Sequence, residues 1–258
     1  MRKIYPREFY LRQLRPFYDS DLIKVITGIR RCGKRCIMQS VALELKNSGV
    51  AEKDIIFLNL DKRGFKNITT SDALEKVIED RIGDDEFKYI FIDEVQNVKD
   101  FESVINAFRE DGNCSIFITG SNSYLLSGEL VTKLTGRYVQ VDMFPLAFDE
   151  FLAMKEFRGD KIGDRRGEFD EYLTSGGFPK ALEFLDPDAK AKYVNDIVEQ
   201  IFEKDIRKRC KIKNRVVFDK VMTYLVNNFG SRINLQSLEN YFRSALQTPI
   251  KKETLKRY

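Results

Sequence analysis

Histidine is absent from all 258 residues. That excludes Ser-His-Asp and Cys-His nucleophilic catalysis, imidazole acid–base chemistry and imidazole metal ligands in one step. Cysteine is sparse. Cys32, Cys36, Cys114 and Cys210 are scattered, with no CxxC pair. They do not read as a zinc set, and free thiols in a reducing cytoplasm are expected. No apolar run approaches the ~18 residues of a membrane span. The N-terminus MRKIYPREFY carries charges but no apolar h-region, so neither a secretory signal nor a membrane partner is expected.

What is present suits a packed core. Hydrophobic residues make up 43% of the chain, with 20 Phe and 11 Tyr. Main-state disorder is excluded, and the length allows one or two domains. The net charge of +4 is unevenly spread. The first 35 residues carry ten basic and three acidic side chains, residues 36–150 twelve and 21, and residues 151–258 22 and 16. The positive ends permit an anionic partner without identifying one.

Apolar runs alternate with helical patterns as far as Pro145. Strands are predicted at Leu22–Thr27, Asp54–Leu60, Phe87–Asp93, Cys114–Thr119 and Tyr138–Met143. Helices are predicted over 33–48, over 72–82 with Ser71 as cap and Glu75 near the capping-box position, and over 100–110. Strands that are apolar throughout and alternate with helices indicate an α/β fold around a parallel sheet buried on both faces. Right-handed crossovers then gather the loops after the strands along one sheet edge. Beyond Pro145 the strand signal stops. Residues 147–155, 165–174, 188–209, 214–229, 235–244 and 251–258 read as helices, with a tight turn at Ser175–Pro179. The expected division is a domain of alternating strands and helices over 1–145, a helical region over 146–230 and a last helical segment over 231–258.

Three of the gathered loops carry chemistry. Gly28-Ile29-Arg30-Arg31-Cys32-Gly33-Lys34 fits GxxxxGK between a strand and a helix. Its glycines let backbone N–H groups wrap phosphates, the helix N-terminus adds its dipole, and Lys34 reaches the β- and γ-phosphates. Arg31, Cys32, Arg35 and Cys36 line the same stretch. Arg30 and Arg31 suit either a phosphate or a neighbouring carboxylate. The position after Lys34 should be Ser or Thr, whose hydroxyl ligates Mg²⁺, but it is Arg35, which has no acceptor atom. Thr27 and Ser40 are badly spaced to replace it. Two readings follow. Arg35 takes the metal's place, pairing with phosphate or Asp93, and hydrolysis slows. Alternatively it turns outward, and Mg²⁺ binds through phosphates and water. The first is favoured, because metal-held charge stabilisation is a large part of phosphoryl transfer.

The third strand ends in Asp93-Glu94, a pair suited to a metal ligand (Asp93) and a group that polarises water (Glu94). A solvated strand end is the alternative reading. The fourth strand runs into Thr119-Gly120-Ser121-Asn122. There a small polar side chain can bond the γ-phosphate or the attacking water, or can simply cap a helix. Arg137 reads as a finger, in cis or across a homo-oligomer contact, or as a surface ion pair.

Together VITGIRRCGK (25–34), YIFIDEVQNV (89–98), FITGSNSYLLSGELVTKLTGRYV (117–139), FPLAFDEF (144–151) and GGFP (176–179) resemble the prokaryotic AAA+-like predicted ATPases that carry a DUF4143-type C-terminal region. The likeness spans essentially the whole chain. It implies an additional-strand P-loop NTPase fold with a parallel five-stranded sheet of order 5-1-4-3-2. Helices and a winged helix-turn-helix follow. It also implies ATP as ligand, Gly33 and Lys34 on phosphate, Asp93 and Glu94 as the Walker B pair, and Ser121 or Asn122 as sensor. Arg35 departs from that pattern and puts Mg²⁺ and hydrolysis in doubt. Residues 234–258 resemble the first two helices of the winged unit, so the chain reads as truncated relative to the family. Lys251, Lys252, Lys256 and Arg257, with the run Arg207–Arg215, could meet DNA phosphates or form a solvated packing face. The function expected is an ATPase with Arg35-impaired turnover; the alternative is a non-hydrolysing nucleotide-gated switch or DNA-binding module.

Overall fold

The computed structural model describes residues 3–83, 87–120, 134–207, 212–244 and 250–257. Five strands, β1 (Ile23–Gly28), β2 (Ile55–Asn59), β3 (Lys88–Asp93), β4 (Cys114–Thr119) and β5 (Tyr138–Met143), form one sheet in the order β2-β3-β4-β1-β5. Every pairing is parallel. Read from the other edge this is 5-1-4-3-2, the order expected.

Side chains alternate across the sheet, so each strand feeds two cores. On one face Ile23, Val25, Ile90, Ile92, Ile116 and Ile118 pack with α3 (Ser71–Ile82) and α4 (Phe101–Asp111). On the other, Ile26, Phe91, Phe117 and Val141 pack with α1 (Glu8–Leu14) and α2 (Lys34–Asn47). An aromatic row crosses that second face: Phe57 stacks on Phe91 at 5.6 Å and Phe91 on Phe117 at 4.6 Å. The wholly buried Lys24 continues the row, its Nζ 4.7 Å from the Phe117 ring centre.

The change from sheet to helices falls between Met143 and Phe148. There follow α5 (Phe148–Arg158), α6 (Arg165–Ser175), α7 (Pro187–Ile201), α8 (Arg215–Asn227), α9 (Leu235–Ser244) and α10 (Lys252–Arg257). The chain divides into two compact units, Met1–Val198 and Glu199–Tyr258. The second has its own apolar cluster of Val221, Leu238, Phe242, Ile250 and Leu255.

Two local expectations need correction. The cap of α3 is Thr70, whose Oγ1 accepts from Ala73 N at 3.4 Å, while the Ser71 hydroxyl turns to Asp72. Thr70 holds extended backbone geometry and so presents its oxygen to the free N–H groups of the first turn. The helix expected over 188–209 stops being α-helical at Ile201 and continues as a π-helical turn over Phe202–Ile206.

Candidate functional site

The carboxyl ends of the five strands meet along one edge of the sheet, at Gly28, Asn59, Asp93, Thr119 and Met143. The phosphate-type loop leaves this edge from β1 and enters α2. Gly28 has φ +150°, and a Cβ there would collide with the Met143 carbonyl and lie 2.8 Å from the Cys32 sulfur. Only glycine fits between β1, β5 and the loop. Gly33, at φ +107°, caps α2 with open space around it, so its backbone conformation demands glycine rather than its packing. Arg31 also holds a left-handed backbone, φ +67°, a strained choice for a side-chain-bearing residue.

Lys34 is buried and arches back over the loop, donating from Nζ to Gly28 O at 2.9 Å and Ile29 O at 3.2 Å. Cys32 is buried, and burial pushes its thiol pKa up against the pull of Lys34. Cys36 is exposed one turn into α2. Arg30 is half-buried and Arg31 exposed.

Asp93 is the hub of the edge. Its Oδ1 accepts from the Thr119 hydroxyl at 2.7 Å and its Oδ2 from Asn59 Nδ2 at 3.0 Å. The Arg35 guanidinium stands 3.9 Å from the same Oδ2. Burial pushes the Asp93 carboxyl above the usual carboxylate range and Glu94 adds to this, while Thr119, Arg35 and Lys34 oppose it. Thr119 does double service, because its Oγ1 also accepts from Glu94 N at 3.0 Å. Glu94 turns with φ +60° out of the strand, and its carboxylate accepts from the Gln96 amide. One threonine hydroxyl therefore fixes both acidic residues relative to each other.

The structure thus brings Gly28, Gly33, Lys34, Arg35, Asp93 and Glu94 to one edge. Ser121 and Asn122 lie outside the described residues. Arg137 does not join them. It precedes β5 at the opposite end of the sheet, about 20 Å away along six residues of strand. There its Nη1 donates to Asn106 Oδ1 at 2.9 Å and its Nη2 lies 3.9 Å from Glu110. The reading of Arg137 as a finger in cis is corrected: in a parallel sheet the residue before a strand sits at the edge opposite the loops that follow the strands.

Asn59, Gln96 and Arg7 escaped the sequence reading, and Thr119 entered it only as the first residue of Thr119-Gly120-Ser121-Asn122, without its link to Asp93. Asn59 and Thr119 did leave a signal, each being a polar residue closing an apolar strand that ends beside Asp93. Arg7 left none. It reaches Cys32 O from 25 residues away at 3.0 Å.

Mg²⁺, which the family resemblance implies, meets an unusual donor set here. Asp93, the buried carboxylate of this edge, already serves Thr119 and Asn59, and position 35 offers a guanidinium in place of a hydroxyl. Among the described residues no group of three or more Cys, Asp or Glu side chains could hold a metal. The residues do not fit a directly ligated Mg²⁺ ion.

In the second unit Arg207 pairs with Glu203, and Arg215 pairs with Glu199 and Asp219 while lying 3.5 Å over the Phe202 ring. Lys251, Lys252 and Lys256 are exposed. No helix of the described residues is long and apolar enough to cross a membrane.

A family profile described as an AAA domain matches residues 20–152, just over half of the chain and the whole of this sheet edge. The chain belongs to this AAA domain family. A second profile, a domain of unknown function (DUF8612), matches residues 166–258 beyond the AAA domain. An uncharacterised protein of Haemophilus influenzae is 34% identical over 254 residues, covering 98% of this chain and 62% of the relative. An uncharacterised protein of Methanocaldococcus jannaschii is 29% identical over 243 residues, covering 92% and 53%. The chain thus spans roughly half to three-fifths of the length of these relatives. Among solved structures, a Walker-type ATPase of Pyrococcus abyssi superposes with a TM-score of 0.52 at 14% identity, covering 98% of this chain and 89% of that one. The AAA domain described here therefore has the fold of the P-loop ATPases.

Proposed function

We propose that this AAA domain binds ATP on the Gly28–Lys34 loop, and that Arg35 supplies beside Asp93 the positive charge a metal would otherwise bring. Turnover is then slow or absent, and the bound nucleotide acts as a switch. The observation that carries this reading is the Arg35 guanidinium 3.9 Å from Asp93 Oδ2, directly after the phosphate lysine. It supports the first of the two placements of Arg35.

Each residue then has a task. The loop amides and the N-terminus of α2 hold the phosphate oxygens. Lys34 exchanges its contacts with Gly28 and Ile29 carbonyls for the β- and γ-phosphates, a stronger charge-assisted pairing. Arg30 and Arg31 add positive charge at the loop, and the Cys32 and Cys36 amides belong to the same cradle. Glu94, held through Thr119 and Gln96, is the group that would orient water. Ser121 or Asn122 serves as γ-phosphate sensor. Arg137 keeps a role only across a homo-oligomer contact. Lys251, Lys252 and Lys256 are the exposed cations of the second unit that suit DNA phosphates. A steep loss of DNA affinity with rising salt would support that contact, and a flat response would sink it.

Calorimetric titration with ATP tests the core of the reading. The chain should bind ATP, and Lys34→Ala should weaken binding at least about tenfold through loss of one charge-assisted phosphate contact. Equal affinity of the two proteins would remove the loop as the binding site.

A further inference from the structure

Arg7 belongs to no motif of the phosphate site, yet its side chain is only 5% exposed and all five of its N–H donors find acceptors. Nε donates to Glu150 Oε1 at 2.9 Å and Nη2 to Glu150 Oε2 at 2.5 Å. Nη1 donates to Cys32 O at 3.0 Å and to Phe144 O at 2.7 Å, and Nη2 to Pro145 O at 3.3 Å. The Tyr10 ring lies 4.5 Å from the guanidinium carbon, and Tyr10 OH accepts from Phe144 N at 3.1 Å. Glu150 Oε2 also accepts from Ala147 N at 3.1 Å, at the first turn of α5. One planar cation thus joins the segment before α1, the phosphate loop, the corner after β5 and the start of the helical region.

We infer that Arg7 is a positioning residue for nucleotide binding, setting the phosphate loop and linking its state to α5 through Glu150. This rests on the reading of the loop as the ATP site. The physical step is the orientation of one peptide. In a trans peptide the carbonyl and the following N–H point in opposite directions. Anchoring Cys32 O on Arg7 therefore turns Gly33 N–H away from Arg7 and fixes it for an oxygen acceptor, next to the Lys34 amide. A phosphate that pulls on Gly33 N–H pulls on the same peptide, and through Arg7 on Phe144, Pro145 and Glu150. Lysine cannot replace this fork, because its three donors radiate from one atom and cannot span acceptors on three segments. Glu150 neutralises the buried cation, so the pair works as a unit.

Two readouts separate this inference from the reading it rests on. The first needs no nucleotide: the alkylation rate of Cys32, followed by peptide mapping so that Cys36, Cys114 and Cys210 are distinguished. Cys32 is buried and its thiol pKa is raised, so it reacts slowly while the loop is held. Arg7→Lys and Glu150→Gln should each speed Cys32 labelling about tenfold or more, the effect of losing one buried charge-assisted contact. The second is ATP affinity at a temperature where each variant is fully folded, which a loss of global stability alone does not change. It should fall about tenfold in both variants. Arg7→Lys and Glu150→Gln within twofold of the parent in both readouts would overturn the inference. If Arg7→Lys fails to fold, Glu150→Gln decides. A parent chain that binds no ATP, with labelling still accelerated in the variants, overturns the ATP reading and leaves the clamp standing.

Discussion

Lys24 shows how far a single side chain can set a property of the whole protein. It is wholly buried in β1, donating to Ser20 O at 3.0 Å and Ser115 Oγ at 2.6 Å. Burial pulls its pKa from the ordinary 10.5 down to about 7, against the nearby carboxylates of Asp19 and Asp21. Above about pH 7 the folded chain carries a neutral amine while the unfolded chain still binds the proton. Stability therefore rises with pH from about 7 towards 10.5, by at most about 1.4 kcal/mol per pH unit. Below about pH 7 both states are protonated and this slope vanishes. Denaturant melts between pH 7 and 8.5 should show the rise, and Lys24→Met should flatten it. A slope unchanged in Lys24→Met would contradict this account of the lysine. Legibility at this scale follows distance along the chain. Gly28, Gly33 and Lys34 could be read because their spacing within one loop is itself the chemistry. Asp93 and Glu94 could be read because an apolar strand ended on them. Arg7, and the pairing of Asn59 and Thr119 with Asp93, act through register and long-range contact, which one segment of sequence does not display.

Elements were read most surely where periodicity was strong. The five strands were legible as apolar runs between turn residues, and the observed β4 and β5 coincide with the predicted spans. Ends were less legible, because Thr70 and Ser71 are both competent caps and only the backbone angles choose between them. The π-helical turn after Ile201 has no counterpart in an apolar period. The junction of β1 with its loop gives a sharp prediction. Gly28→Ala places a methyl against the Met143 carbonyl and the Cys32 sulfur in a backbone region that side-chain-bearing residues avoid. A loss of about 3 kcal/mol or more is expected in chemical denaturation, from overpacking and backbone strain together. Gly33→Ala meets open space and should lose less, about 1–2 kcal/mol, from its left-handed φ alone. Equal losses at the two glycines would contradict the separation of steric from conformational demand.

At the scale of the molecule, the parallel order β2-β3-β4-β1-β5 brings loop, acidic pair and polar strand ends to one edge. That same rule carries Arg137 to the other edge, although it reads well as a local motif. The fold class followed from the alternation of strands and helices; the strand order came from the family resemblance and could not be derived from the pattern alone. The second unit offered helices of ordinary amphipathic pattern, and its pairing of Arg207 and Arg215 with nearby carboxylates was hidden among basic residues. The central claim is that Arg35 stands where metal-held charge belongs. It is tested most directly by titrating ATP into the chain and into Arg35→Ser, each with Mg²⁺ and then with EDTA, while phosphate release is followed. The account predicts nearly equal ATP affinity of the unmodified chain in both buffers with little turnover, and a gain of Mg²⁺ dependence and turnover in Arg35→Ser. Binding that already requires Mg²⁺ in the unmodified chain, with steady hydrolysis, would contradict it.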